Sequence, residues 1–471
     1  MKECLRISRA CISERNILGQ TPLHLSSTWP AGISLLLQAG AGFSLDQPDI
    51  RGFVPLAYAV IAGCDDATRL MLNAGGILPV GKTTEFDGPY VDVLEIATTR
   101  STDEILHELV STLYKQRMAL QEYVSMTLPL HLHPDHVPDE EAIMLLEQLE
   151  KHKIQVPFGL RQVQKRGTLY HATYLDVRLA RHLFHAGFRD IEGTHEQWTP
   201  LMLCGGATLN DLLKLVSWLI SNGGDLSLST PMCSCIEGNC ACYLSPTSLL
   251  SKTAHRLASE VGWTIFRAGS AFCNGERPTC ELSATWFMEL LSNLHVSSQQ
   301  LLRDLFTDGS RDSCICACTS SHGCSPAIMM LKSMEKPPQN LEYSYRNFRM
   351  TKARPWIIEW MLGSQQLEPT GSAFDWLVTD VIRFMTFEEL GLTHICCYDS
   401  GHGRRRHFIV KEVSEIDEIC EKEVSLSDEL DTLVVEFRGK YTELRVPFHE
   451  FLSGYWDARM KEVAKKGSLD K

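Results

Sequence analysis

The apolar positions of this 471-residue chain fall into short runs, several of them closed by glycine. Leu35-Leu36-Leu37 leads to Gly40-Ala41, Leu70-Met71-Leu72 to Gly75-Gly76, Leu183-Phe184 to Gly187, and Leu219-Ile220 to Gly223-Gly224. Residues 101–125 read as helix. So does the segment opened by Asp139-Glu140-Glu141, where Ile143, Leu145, Leu146 and Leu149 follow at helical spacing. Beyond Pro337-Pro338 the pattern changes, and Phe374, Leu377, Val378, Val381, Ile382 and Met385 trace one face of a helix. A second helix begins near Ser427, with Leu430, Leu433, Val434 and Phe437 on one side, and a third spans 448–465. Residues 408–410, Phe-Ile-Val, suit a short strand, and the carboxylates crowding 412–431 suit a solvated helix surface. The expected class is all-α.

A second regularity is superimposed on the first. Thr21-Pro22-Leu23-His24 is echoed by Val54-Pro55-Leu56-Ala57, 33 positions later (54 − 21), and Asn16-x-x-Gly19 by Asp49-x-x-Gly52. Thr21 suits a helix N-cap, Pro22 the first helical position, and Gly40 the left-handed turn that ends the following helix. Each unit is then a turn, a helix, a turn and a helix. Such a pair cannot bury its own apolar side, so neighbours must stack in file.

These residues resemble the ankyrin repeat, with its T-P-L-H turn and two antiparallel helices. Weaker copies follow at Thr199-Pro200-Leu201-Met202 and at Leu169-Tyr170-His171-Ala172, with Gly167 aligned to Thr199. Fainter ones are Ser245-Pro246 with Phe266-Arg267-Ala268-Gly269, and Ser325-Pro326. Residues 80–160 and 275–312 depart from the pattern. The resemblance implies an ankyrin-type helical-hairpin solenoid, like that of large multi-repeat fungal proteins with divergent repeats. Residues 1–160 would hold the first block, clearest over 16–79, and 161–335 the second. Residues 340–471 would form a mostly helical C-terminal domain or cap.

Composition fits a folded chain, with 44% hydrophobic and 22% charged residues. A net charge of −13 repels phosphate backbones, and Arg404-Arg405-Arg406 is an isolated basic cluster, so no nucleic-acid partner is expected. Residues 1–16 lack the apolar core of a secretion signal, and no apolar stretch is long enough to span a bilayer, so no membrane partner is expected. The expected compartment is cytoplasmic or nuclear.

The 17 cysteines cluster in two windows: Cys233, Cys235, Cys240 and Cys242, then Cys314, Cys316, Cys318 and Cys324 with His322 beside them. Folded as a hairpin about Glu237-Gly238, the first window puts all four sulfurs on one face. The second offers three thiols on one strand face, a fourth after the turn and an imidazole. Each ends just before a Ser-Pro that takes the Thr-Pro place, so both lie in the finger between repeats. A long finger without a core needs a staple. Structural zinc, redox-dependent disulfides and plain thiols are the three readings of these windows.

His131-Leu-His133-Pro-Asp135-His136 resembles the metal loop of metallo-β-lactamase-type hydrolases, which makes a metal-dependent hydrolase one alternative function, the other being a structural zinc-stapled repeat protein with no dedicated partner. Its helical surroundings favour a polar inter-repeat loop. Cys396-Cys397 beside His394 lacks an orienting acid, and Gly401-His402-Gly403 lacks phosphate-loop spacing. Trp356 and Trp360, four apart, suit core packing. The expected function is therefore a non-catalytic scaffold whose repeat surface binds an unidentified protein. Trp29, Tyr58 and Trp198 near the repeat turns are the candidate anchors.

Overall fold

The computed structural model describes residues 9–78, 92–128, 139–157, 160, 167–193, 198–231, 250–272, 280–281, 284–312, 314, 316–320, 323–334, 348–349, 353–362, 375–395, 398–399, 408–409 and 413–469. The chain divides into two compact units, Met1–Leu203 and Cys204–Lys471. The boundary expected near residue 160 therefore falls inside the first unit, and the C-terminal region expected from 340 belongs to the second. The structure is helical, as the apolar spacing predicts, with three small ladders of two or three residues per strand.

In the first unit the helices are α1 (Pro22–Leu25), α2 (Pro30–Gln38), α3 (Pro55–Ile61), α4 (Asp65–Asn73), α5 (Val93–Arg100), α6 (Asp103–Thr127), α7 (Asp139–Lys151), α8 (Val177–Ala186) and α9 (Pro200–Leu203). They pair as hairpins, α1 with α2, α3 with α4 and α5 with α6. First helices then pack on first helices, α1 on α3 on α5, and second on second, α2 on α4 on α6. Leu23, Ile33, Leu36, Leu56, Met71, Leu94 and Leu109 line the shared interior. Gly40, at φ 101°, closes the turn after α2 in the left-handed conformation expected of it.

The echo in the sequence is an echo of hydrogen bonds. Asn16 Oδ1 accepts the amides of Leu18 at 2.9 Å and Gln20 at 3.0 Å, and Asp49 Oδ1 accepts those of Arg51 at 2.8 Å and Phe53 at 3.0 Å. Each turn is closed by the backbone, Asn16 N–H to the Gln20 carbonyl and Asp49 N–H to the Phe53 carbonyl. Thr21 caps α1 while its amide donates to His24 Nδ1 at 3.0 Å, so the opposite nitrogen, Nε2, carries the proton and donates to the Phe53 carbonyl at 3.0 Å. Burial holds the His24 imidazole below its ordinary pKa. Thr168 and His171 repeat the arrangement, with His171 Nε2 on the Trp198 carbonyl at 2.9 Å. The cap in this copy is Thr168, which corrects by one residue the alignment of Gly167 with Thr199.

In the second unit the helices are α10 (Leu209–Ser221), α11 (Thr253–Phe272), α12 (Ala284–Ser292), α13 (Val296–Thr307), α14 (Pro326–Ser333), α15 (Arg354–Leu362), α16 (Asp375–Glu389), α17 (Val413–Lys422), α18 (Val424–Leu444), α19 (Phe448–Phe451) and α20 (Asp457–Leu469). The ladders are β1 (Ser229–Pro231) with β2 (Leu250–Lys252), β3 (Cys280–Glu281) with β4 (Phe348–Arg349), and β5 (Tyr398–Asp399) with β6 (Phe408–Ile409). The last covers two of the three residues expected as a strand.

Helices α11 and α14 form the most extensive contact. Gly262 permits it, since a Cβ there would lie 2.2 Å from the Met330 carbonyl oxygen. Gly269 lies within α11 rather than closing a helix, and Ser245-Pro246 lies outside the described residues. Of the C-terminal helices, α16 packs on α14 and α15 on α13, with Leu377, Val381 and Ile382 buried on the inner side of α16. Among the described residues no helix is long and apolar enough to cross a membrane.

Candidate metal centre

A third copy of the side-chain-anchored turn sits ahead of α14. Asp312 Oδ1 accepts the amide of Cys314 at 3.0 Å and that of Cys324 at 2.7 Å, and the Asp312 N–H donates to the Cys324 carbonyl. Ser325, the next residue, caps α14, and His255 Nε2 donates to the Cys324 carbonyl at 2.7 Å. Asn16 and Asp49 close turns of 5 residues, whereas Asp312 to Cys324 spans 13, so 8 residues (13 − 5) are inserted at the finger. The inserted stretch brings in Cys316 and Cys318.

All four sulfurs of this finger are buried. Cys318 Sγ lies 3.6 Å from Cys324 Sγ, and the Cys314 thiol donates to Cys324 Sγ at 3.3 Å. Both separations exceed the ~2.05 Å of a disulfide bond by more than an ångström. The fifth donor comes from the segment after α16: His394 Nδ1 is 3.6 Å from Cys316 Sγ. The ligand atoms of Cys316, Cys318 and His394 all lie within 4.8 Å of one another, as do those of Asp312, Cys314 and Cys324.

The imidazole is held from several sides. Its Nε2 pairs with the Glu388 carboxylate, and its ring packs on Phe387 at 4.6 Å and Phe384 at 6.0 Å between centroids. Thr393, the preceding residue, donates its amide to Glu423 Oε2 at 2.9 Å and its hydroxyl to Oε1 at 2.6 Å. A proton on Nε2, shared with Glu388, leaves the Nδ1 lone pair directed toward the sulfurs. This is the outer-shell pairing that orients a histidine ligand.

Helix α16 also fastens the finger itself. Fully buried Asp380 accepts the Ser320 amide at 3.0 Å and its hydroxyl at 2.5 Å, and forms an ion pair with Arg311. Arg383 Nε donates to the Ala317 carbonyl at 2.6 Å, and Arg311 to the Gly323 carbonyl at 3.3 Å. Two guanidinium groups are thus bound directly to the backbone of the cysteine loop.

Chemically the cluster offers soft thiolates and one imidazole, a donor set suited to zinc. The line Cys316–His394–Glu388 is also the order of a base-activated thiol nucleophile. Cys316, however, is 4% exposed and has further sulfurs crowded around it.

Of the residues expected here from sequence, Cys314, Cys316, Cys318 and Cys324 converge. His322, the first window (Cys233, Cys235, Cys240, Cys242) and the His131, His133, Asp135 and His136 motif lie outside the described residues. Glu388 and Asp312 are additions, and Glu388 is the orienting acid that His394 was expected to lack. The density of His, Cys and acid in 387–397 is the local signal for Glu388, and no such signal marks Asp312.

The expected partner anchors differ among themselves. Trp29 is 46% exposed at the cap of α2, its ring laid over Gly32, where a Cβ would come within 2.2 Å of it. Tyr58 is committed to the fold, donating to Asp49 Oδ2 at 2.7 Å and accepting from Gln20 Nε2 at 2.9 Å. Trp198 is half-buried, with its carbonyl on His171. Ile17 and Ile50 stand out instead, 96% and 65% exposed at equivalent positions of the first two turns. Trp360 packs edge-on to Phe287 with Arg303 over its face, as core packing predicts, whereas Trp356 is 42% exposed, against that expectation, and stacks on His449 with centroids 3.8 Å apart. No family model matches this sequence, and no curated protein matches it.

Proposed function

We propose that the chain is an ankyrin-type repeat scaffold that binds a protein partner along its fingers. The observation that carries this reading is the bond from a buried histidine to the carbonyl just before the next helix cap: His24 to Phe53, His171 to Trp198, His255 to Cys324. In each case the imidazole reaches into the next turn and fixes its position. Rigid turns of this kind present side chains at regular intervals, which is what a repeat surface needs for recognition. Ile17 and Ile50, apolar and exposed at matching turn positions, are its natural contacts, with Trp29 beside them.

The test is quantitative affinity capture from the native cell, comparing wild type with an Ile17→Asp, Ile50→Asp double variant and with Trp29→Ala. The expected result is specific loss of one or more captured proteins with an unchanged melting temperature. Identical captured sets would remove the fingers of the first two repeats as the binding surface.

A further inference from the structure

We propose that the long finger of the second unit is a structural zinc site, with Cys316, Cys318, Cys324 and His394 as ligands. Cys314 stands behind them as a thiol donor to Cys324, and Glu388 as the acceptor behind His394. This does not depend on whether the repeats bind a partner.

The geometry supplies the argument. In a tetrahedron with Zn–S about 2.3 Å and Zn–N about 2.0–2.1 Å, two sulfurs stand about 3.8 Å apart and a sulfur and nitrogen about 3.5 Å apart. The observed separations are 3.6 Å for Cys318 to Cys324 and 3.6 Å for Cys316 to His394 Nδ1. The ligand atoms of Cys316, Cys318 and His394 all lie within 4.8 Å of one another, and Cys324, 3.6 Å from Cys318, supplies the fourth corner. Burial of all four sulfurs makes the same point from stability. A loop of this length needs a cross-link, and an ion supplies one.

Binding balances simply. Three thiols lose three protons to solvent, His394 ligates as the neutral ring through Nδ1 while Nε2–H is shared with Glu388, and the divalent ion with three thiolates carries one net negative charge. Arg311 and Arg383, bound to the Gly323 and Ala317 carbonyls and ion-paired with Asp380 and Asp431, hold the backbone of the loop in place. The Cys314 S–H···S contact further stabilises the Cys324 thiolate. Four protein ligands leave no open position, so the site is structural rather than hydrolytic. Because Cys316, Cys318 and Cys324 lie in the finger and His394 lies after α16, the ion also fastens the C-terminal helices to the last repeat.

The test uses the full chain, expressed with zinc and passed over a chelating resin, with metal measured by mass spectrometry. Wild type is compared with Cys318→Ser, His394→Ala and the control Cys420→Ser, whose thiol is exposed on α17. The expected result is one zinc per chain fewer in each of the first two variants and no change in the control. Any ion held by the first cysteine window cancels in this difference. Cobalt titration of the metal-stripped wild type, which needs no variant to fold, should give the absorption of a tetrahedral site with sulfur-to-cobalt charge transfer.

Zinc content unchanged in both Cys318→Ser and His394→Ala would overturn the proposal. So would octahedral cobalt, or a zinc-free chain whose Cys316 alone is rapidly alkylated by iodoacetamide. The last result would mark a nucleophile in place of a ligand.

Discussion

His255 donates from Nε2 to the Cys324 carbonyl at 2.7 Å, so one residue both ends the bond from α11 and contributes a sulfur to the cysteine cluster. The histidine-bridged turn and the candidate metal centre therefore share a backbone segment. Distortion of either reaches the other through a single residue.

Loss of the histidine bridge should be costly in the first unit. His24→Ala leaves the Thr21 amide and the Phe53 carbonyl buried without this partner, and His171→Ala does the same for Thr168 and Trp198. Each is expected to lower unfolding free energy by about 3 kcal/mol, seen as a drop in the urea midpoint at constant slope. A change below about 0.5 kcal/mol would show that these bonds do not organise the repeats.

The same imidazole makes stability depend on pH. Burial lowers the folded pKa of His24 from 6.5, so the unfolded chain binds the proton first as pH falls. This contribution is fully present above pH 6.5 and is lost as pH falls from there through the lower folded value. Urea midpoints measured from pH 7.5 to 5 should decline over that window, and His24→Gln should flatten the decline.

Those features were legible because they are local. Thr-Pro-Leu-His and Asn/Asp-x-x-Gly encode cap and turn within a few residues, and the faint Ser325-Pro326 proved to be a fully formed cap. Where information is carried by contacts distant in sequence, the reading fell short. Asp312 went unread because the insertion moves the second amide it accepts from four residues away to twelve. His394 was set beside Cys396-Cys397 instead, because nothing near it in sequence points 78 positions back to Cys316. The unit boundary after Leu203 is likewise set by packing of α6 on α8, which no composition shift marks.

Glu388 gives a graded test of the cluster. Glu388→Ala removes the acceptor on His394 Nε2 while leaving every proposed ligand in place. Zinc affinity, measured by competition with a chromophoric chelator, is expected to weaken by about 10–100-fold. An unchanged affinity would place His394 outside the coordination shell.

Asp380 should matter more than its distance from any ligand suggests. Asp380→Ala removes the acceptor for Ser320 and the partner of Arg311, whose side chain is 20% exposed. A loss of about 3 kcal/mol in unfolding free energy is expected, with new proteolytic cleavage between residues 312 and 324. Cleavage confined to other loops would show that the finger is held without it.

Gly262→Ala tests the closest helix approach. The added methyl meets the Met330 carbonyl, so α11 and α14 must separate, at a cost of about 2 kcal/mol in thermal or urea unfolding. A neutral result would mean the helices pack less tightly than the 2.2 Å contact requires.

The 78-residue interval between Cys316 and His394 also orders events during synthesis. At about 5–20 residues per second, the thiols leave the ribosome roughly 4–16 seconds before the imidazole that meets them. Every helix of the first unit has been translated by then. The second unit closes around its cysteines only once α16 has emerged, so a nascent chain halted before residue 394 would expose reduced sulfurs that the finished protein conceals.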